Sequence, residues 1–304
     1  MSAFLDAAEL AAFATRIFLN RHPVNIDSHQ HFWRYDPQRD AWITDKMSVL
    51  KRDFLPADLI PELAANALDA SIAVQAGQSE GETLFLLDCA ARHPEVAGVV
   101  GWVDLRASSL PERLLFFSKF KKLRGFRHIV QDEADDRFLL RGDFCRGLGC
   151  LREFGFTYDI LIYARQLPAA CKVVERFPQQ AFVIDHAAKP DIRSKEIDCW
   201  SAQIRAIAAH PNVFCKLSGM ITEANWAAWS LDDFRPYLDV LFDAFGPDRL
   251  MFGSDWPVCL LAGTYQQVKS LIVDYTRHLE PGDREKVFGL NAARFYGVSG
   301  TDRD

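Results

Sequence analysis

Short apolar runs rich in Val, Ile, Phe and Leu alternate along the chain with longer stretches whose apolar residues recur at helical spacing. The short runs, expected as strands, are Asn25–Ser28, Ala70–Gln75, Ala97–Val103, Gly125–Ile129, Thr157–Ile162, Ala181–Ile184, Val213–Leu217 and Arg249–Phe252. Helical patterns fall at Pro56–Leu68, Glu80–Arg92, Leu110–Lys121, Asp143–Phe154, Arg165–Arg176, Lys195–Ala209 and Leu231–Phe245, followed by Tyr265–His278 and Asp283–Tyr296. Strands that alternate with helices pair in parallel through right-handed crossovers. Eight such units predict a closed (β/α)8 TIM barrel, one α/β domain over residues 23–304. A doubly wound open sheet is the alternative, but no glycine-rich phosphate loop follows the first strand. Residues 1–22 read as an N-terminal helical extension, because Ala7, Leu10, Phe13, Ala14 and Ile17 share one face. Proline ends three helices at Arg92-His93-Pro94, Arg176-Phe177-Pro178 and Ala209-His210-Pro211. These joints belong to the N-terminal face of a barrel, so His93 and His210 read as structural.

Charge and cysteine usage narrow the partners. The net charge of -6 argues against nucleic acid and against an anionic membrane surface. Seven cysteines, odd in number and without a CxxC pair, read as reduced thiols of a cytoplasmic protein. The acidic N-terminus does not resemble a secretory signal, and no apolar run is long enough to span a bilayer. The N-terminal helix could dock on the barrel, serve as a subunit contact in a homo-oligomer, or be a frayed extension.

The chemistry concentrates at predicted strand ends. His29 and His31, two residues apart at the end of the first strand, point the same way, an arrangement suited to metal ligation or proton transfer. His128, His186 and Asp255 each close a later strand, so five polar groups describe one pocket at one mouth of the barrel. Each also has a structural reading: a hydrogen-bonded core imidazole for any single histidine, or a helix cap for Asp255. Arg127 offers a planar donor fork to a substrate, or a salt bridge to Asp132 or Glu133. Lys189 is a pocket cation or a solvated charge. Trp33 and Trp256 are candidate walls for a sugar ring, as are Trp102, Trp226 and Trp229, and packing is the competing role. The polar, aromatic stretch from His31 to Leu55 reads as a loop over the mouth.

Taken in order, these stretches resemble the amidohydrolase superfamily, in its amidohydrolase-2 branch of fuconolactonase- and rhamnonolactonase-type hydrolases. The likeness rests on Asp27-Ser28-His29-Gln30-His31-Phe32-Trp33, Gly125-Phe126-Arg127-His128, Asp185-His186-Ala187-Ala188-Lys189-Pro190, Lys216-Leu217-Ser218-Gly219, Phe252-Gly253-Ser254-Asp255-Trp256-Pro257 and Leu290-Asn291-Ala292-Ala293-Arg294-Phe295-Tyr296-Gly297. It implies a hydrolase that opens a small sugar-derived (aldono-)lactone in sugar catabolism. It implies Asp255 as the general base on water, His186 as a site residue and His29 and His31 as metal ligands or electrophiles. Joined to the strand-end reading, Asp255, His186 and His128 are expected to be catalytic, and Arg127, Trp33, Trp256 and Lys189 to bind substrate. His29, His31 and Asp255 are the expected metal ligands. Binuclear members carry a lysine on strand four and a histidine on strand five. Here strand four offers Arg127-His128, and strand five, Tyr158-Asp159-Ile160-Leu161-Ile162, has no histidine. At most one divalent ion is therefore expected, zinc by preference, and metal-free catalysis stays open. A metal-dependent decarboxylase of an aromatic acid and a non-catalytic sugar-acid binding protein are the alternatives.

Overall fold

The computed structural model describes residues 24–298, so the helical extension expected over 1–22 lies outside the described residues. Eight parallel strands follow one another around a single sheet in chain order: β1 Ile26–Gln30, β2 Ala70–Val74, β3 Val96–Gly101, β4 Leu123–Ile129, β5 Thr157–Leu161, β6 Phe182–Ile184, β7 Val213–Leu217 and β8 Leu250–Phe252. Between them run α1 Pro56–Ala65, α2 Glu80–Arg92, α3 Leu110–Phe117, α4 Gly142–Leu151, α5 Leu167–Arg176, α6 Asp198–Ala208 and α7 Leu231–Phe245, with α8 Tyr265–Tyr275 after β8. This is the expected (β/α)8 barrel, with element ends shifted by a few residues.

The last expected helix is not continuous. It divides into α9 Pro281–Glu285, a π-helical turn Lys286–Leu290 and α10 Asn291–Tyr296. The wider turn seats the backbone of Gly289 against the entry to β1, where a Cβ would lie 1.8 Å from the Val24 carbonyl oxygen. Any side chain at 289 would force the two segments apart.

Two apolar layers hold the barrel. Ile26, Ile72, Val74, Val100, Val183 and Met251 form one cluster with Phe295 and Tyr296 of α10. A larger cluster packs the helices onto the sheet, including Leu86, Leu114, Leu148, Val173, Ile204, Leu238 and Leu241. Each such side chain contributes about 1.5–3 kcal/mol by burial.

The barrel closes at the β1–β8 seam. Asp255 N–H donates to the His29 carbonyl (2.8 Å), and His31 N–H to the Trp256 carbonyl (2.7 Å). Gly253 permits this approach, since a Cβ there would meet His29 Cβ at 2.7 Å. The buried Asp27 carboxylate ties the seam together: it accepts from Ser254 N–H (2.9 Å), the Ser254 hydroxyl (2.5 Å) and the Tyr265 hydroxyl (2.7 Å).

Candidate active site

The C-terminal ends of β1, β4, β6, β7 and β8 meet around one cavity of about 430 Å³. His31, Arg127, His186 and Asp255 line it, together with Trp33, Trp42, Tyr163, Lys189, Glu223 and Trp226. The loop between β1 and α1 forms part of the wall, as the sequence suggests. Its Trp33 and Trp42 rings meet edge to face, and Trp33 pairs its backbone with Phe54.

Asp255 stands at the centre of a ring of imidazoles. Its Oδ1 lies 3.3 Å from His31 Nε2 and 3.9 Å from both His29 Nε2 and His186 Nε2. His29 Nε2 and His31 Nε2 are themselves 3.2 Å apart. Burial presses the Asp255 carboxyl upward, but His186, His31 and Lys189 outweigh it, leaving the group below its usual value. Burial lowers the His186 imidazole to about 4, against the pull of Asp255 and Asp185. Burial and Lys216 hold the His29 imidazole well below its ordinary value. The surroundings therefore favour the ionised form of Asp255 and the neutral forms of His29 and His186.

The backbone that presents these groups is strained. His186, Ala187, Ala188 and Lys189 have φ of 53°, 52°, 58° and 48°, four consecutive left-handed residues with no glycine among them. Asp255 is also left-handed, with φ 57°. Such residues cost about 1–2 kcal/mol each, and clusters of them persist where surrounding contacts over-determine them. Here the Trp200 indole N–H holds the Ala187 carbonyl (2.8 Å), and His186 Nδ1 meets the Ser218 hydroxyl (2.9 Å). Gly219, left-handed at φ 60°, leaves room for the His186 ring, which a Cβ would strike at 2.5 Å.

Beneath the ring lies a charged layer not anticipated from the sequence. Lys216 of β7, wholly buried, sits 2.5 Å from Asp159 Oδ2, 2.9 Å from Asp185 Oδ1 and 3.0 Å from His29 Nδ1. Arg127 Nη1 donates to Asp185 Oδ2 (3.0 Å) and lies 3.3 Å from His29 Nε2, while its Nη2 bonds the Gln75 carbonyl. Burial would raise the Asp185 carboxyl, but Lys216, His29 and Arg127 together hold it well below the carboxylate range. Asp159, with less compensation, is pushed up to about 6 by burial. The Arg127 fork is thus tied into the wall by Asp185 and Gln75 rather than bridging Asp132 or Glu133.

His128 and Trp256 lie off the cavity, as do the candidate walls Trp102 and Trp229. His128, next to Arg127 on β4, points to the opposite face because strand side chains alternate. It stacks on Phe138 (5.0 Å between centroids) and pairs with Glu133 (2.7 Å). Trp256 is buried against Phe32 and Phe54.

The donor set fits one metal ion. His29, His186 and Asp255 each offer a ligand atom within 4.8 Å of the others, and His31 Nε2 lies beside them. A tetrahedral ion with bonds of about 2.0–2.1 Å needs ligand atoms about 3.3–3.4 Å apart. The His31 spacings to His29 and Asp255 match this at 3.2 and 3.3 Å, and those of His29 and His186 to Asp255 are wider at 3.9 Å. His31 Nδ1 donates to the Val74 carbonyl (2.7 Å), an acceptor only, which leaves its Nε2 lone pair facing the centre. A second ion has no comparable ligand set among the described residues, because Asp159 on β5 is engaged by Lys216.

Residues 26–298 match the profile of the amidohydrolase family. The chain belongs to that family. Among its relatives, the L-fucono-1,5-lactonase of Burkholderia multivorans is 46% identical over 286 residues, covering 90% of this chain and 96% of the relative. The solved structure of a Burkholderia multivorans amidohydrolase with bound zinc is 46% identical, with a TM-score of 0.88 over 91% of this chain and 100% of that one. A 5-carboxyvanillate decarboxylase from Sphingomonas paucimobilis, 15% identical with a TM-score of 0.61 over 91% of this chain and 100% of that one, shares the fold alone. No helix among the described residues of this amidohydrolase is long and apolar enough to cross a membrane.

Proposed function

We propose that this amidohydrolase opens a sugar-derived lactone of the L-fucono-1,5-lactone class, with Asp255 as the general base. The observation that carries the reading is the ionised Asp255 carboxylate at the cavity floor, ringed by imidazole nitrogens at 3.3–3.9 Å. A carboxylate so placed takes a proton from water as the water oxygen attacks the ring carbonyl. The acyl–oxygen bond of the ring then breaks. The ring oxygen leaves with that proton, returned by Asp255 directly or through neutral His186, and the product is the open hydroxy acid. Arg127, fixed by Asp185 and Gln75, directs its positive charge toward the developing oxyanion. Trp33 and Lys189 hold the substrate from the cavity wall; His128 and Trp256 support that wall from behind. His29, His186 and Asp255, with His31 beside them, would hold a divalent ion such as zinc, which would supply Lewis-acid polarisation of the carbonyl.

The reading also includes a cytoplasmic homo-oligomer of sugar catabolism that binds neither nucleic acid nor membrane. Its support is the net charge of -6 and seven cysteines that are all unpaired. Size-exclusion chromatography with light scattering reads the oligomeric state.

A pH-indicator assay over a panel of aldonolactones, L-fucono-1,5-lactone included, tests the activity. Acid release without carbon dioxide is expected. Failure to release acid from any aldonolactone, or release of carbon dioxide from an aromatic acid, overturns the reading.

A further inference from the structure

Beyond the imidazole ring, the cavity wall carries two charges that the hydrolytic steps do not use. Lys189 ends the left-handed run after β6, and Glu223 ends a 3-10 turn, Ile221–Glu223, after β7. Lys189 Nζ and Glu223 Oε1 are 3.9 Å apart, beyond hydrogen-bond reach, and their side chains are only 17% and 22% exposed. Among the described residues no hydrogen bond reaches either head group. Lys189 Nζ only overlies the Tyr163 ring at 5.3 Å. Ammonium donors and carboxylate lone pairs withdrawn this far from water are costly to leave unused.

The gap has the chemistry of a hydroxyl. A hydroxyl oxygen about 2.8 Å from each head group accepts from Lys189 and donates to Glu223 at once. A carboxylate cannot: it has no proton to give Glu223 and repels it. The cations of the lining are already committed, Arg127 to Asp185 and the reacting carbonyl and Lys189 to Glu223, so neither is left to offset that repulsion, while Asp132 and Asp255 add negative charge to the lining. The indoles of Trp42 and Trp226, 44% and 36% exposed and both lining the cavity, offer apolar faces to a sugar's C–H bonds.

We infer that Lys189 and Glu223 clamp a hydroxyl of the substrate, and that Glu223 excludes lactones bearing a carboxylate. This rests on the lactonase reading above. The test compares a neutral aldonolactone with the matched lactone whose terminal carbon is a carboxylate, in the full chain and its variants. In the wild type, kcat/KM favours the neutral substrate. Glu223→Gln, which keeps size and removes charge, lowers the neutral:anionic ratio by about tenfold or more, with an absolute gain on the anionic substrate, since Lys189 is freed to pair with it. Lys189→Met alone moves the ratio the other way and serves as the independent arm should Glu223→Gln fold poorly. Lys189→Met added to Glu223→Gln abolishes the gain. A ratio that stays constant while both substrates fall together overturns the inference and leaves the lactonase reading standing. A wild type that turns over no lactone overturns both.

Discussion

Replacing Lys216 with Met keeps length and removes the charge at the base of the site. Asp185 keeps its bond from Arg127 Nη1 at 3.0 Å. Asp159 does not fare as well: its Oδ2 retains only the Tyr296 hydroxyl (2.8 Å), and its Oδ1 has no hydrogen-bond partner even with Lys216 present. Stranding one member of a buried pair costs about 3–5 kcal/mol. With unfolding entropy near 2.1 cal/mol/K per residue, 304 residues give about 0.64 kcal/mol/K, so Tm should fall by about 5–8 °C. The deficit carries a pH signature. Asp159 is already pushed up to about 6 by burial, with Lys216 opposing the rise, so losing Lys216 lifts it further. An acid raised on folding stabilises the fold below its unfolded value and loses that contribution as pH rises through its folded value. The variant continues to lose stability where the wild type has stopped, so the Tm gap should widen between about pH 6 and 8. Calorimetry of wild type, Lys216→Met, Asp159→Asn and the double variant measures both effects. The double variant should lose less than the sum of the singles, since neither charge is then stranded. A gap under about 1 °C at pH 8, or one that does not change with pH, refutes the argument.

The other expectations concern the reaction. Asp255→Asn should keep its Tm while kcat drops about 10²–10⁴-fold, and activity within a fewfold of wild type would remove Asp255 from the base's role. The kcat/KM profile should lack an acid limb near 6.5: His186 is neutral down to about 4 and Asp255 is ionised from below its ordinary value, so both are in working form across neutral pH. A midpoint near 6.5 would instead assign a titrating histidine. Elemental analysis should find one equivalent or less of divalent metal per chain, and two equivalents, both needed for turnover, would contradict the single ligand set around Asp255.

The barrel was legible because the strands are apolar runs and the helices amphipathic ones. Four of the five polar groups, His29, His31, His186 and Asp255, converge because a parallel barrel brings its C-terminal strand ends to one mouth, while His128 turns away. Which of two neighbours faces inward was not legible at β4. Arg127 and His128 are equally polar, and only the sheet register (Arg127 opposite Asp159) decides. The Lys216 layer left a signal that was not followed: a charge inside an apolar strand, in Phe214-Cys215-Lys216-Leu217 and again in Tyr158-Asp159-Ile160, marks a buried ionic pair. The left-handed run from His186 to Lys189 left none. Alanines at 187 and 188 favour the right-handed helix, and only contacts from Trp200 and Ser218, distant in sequence, reverse the preference. Asp27 shows the same limit, for its partners Ser254 and Tyr265 lie more than two hundred residues away.

That last separation bears on how the enzyme comes into being. His29 and His31 leave the ribosome more than two hundred residues before Asp255, whose backbone is set by the seam that Asp27 ties across 227 positions. Contacts of such long range form late, after the loop entropy of everything between them has been overcome. A growing or truncated chain therefore carries the imidazoles without the carboxylate of Asp255. With Asp255 as the proposed base, hydrolysis is expected to start only when the final strand docks against the first, so turnover measured during synthesis or refolding should time the closure of the barrel itself.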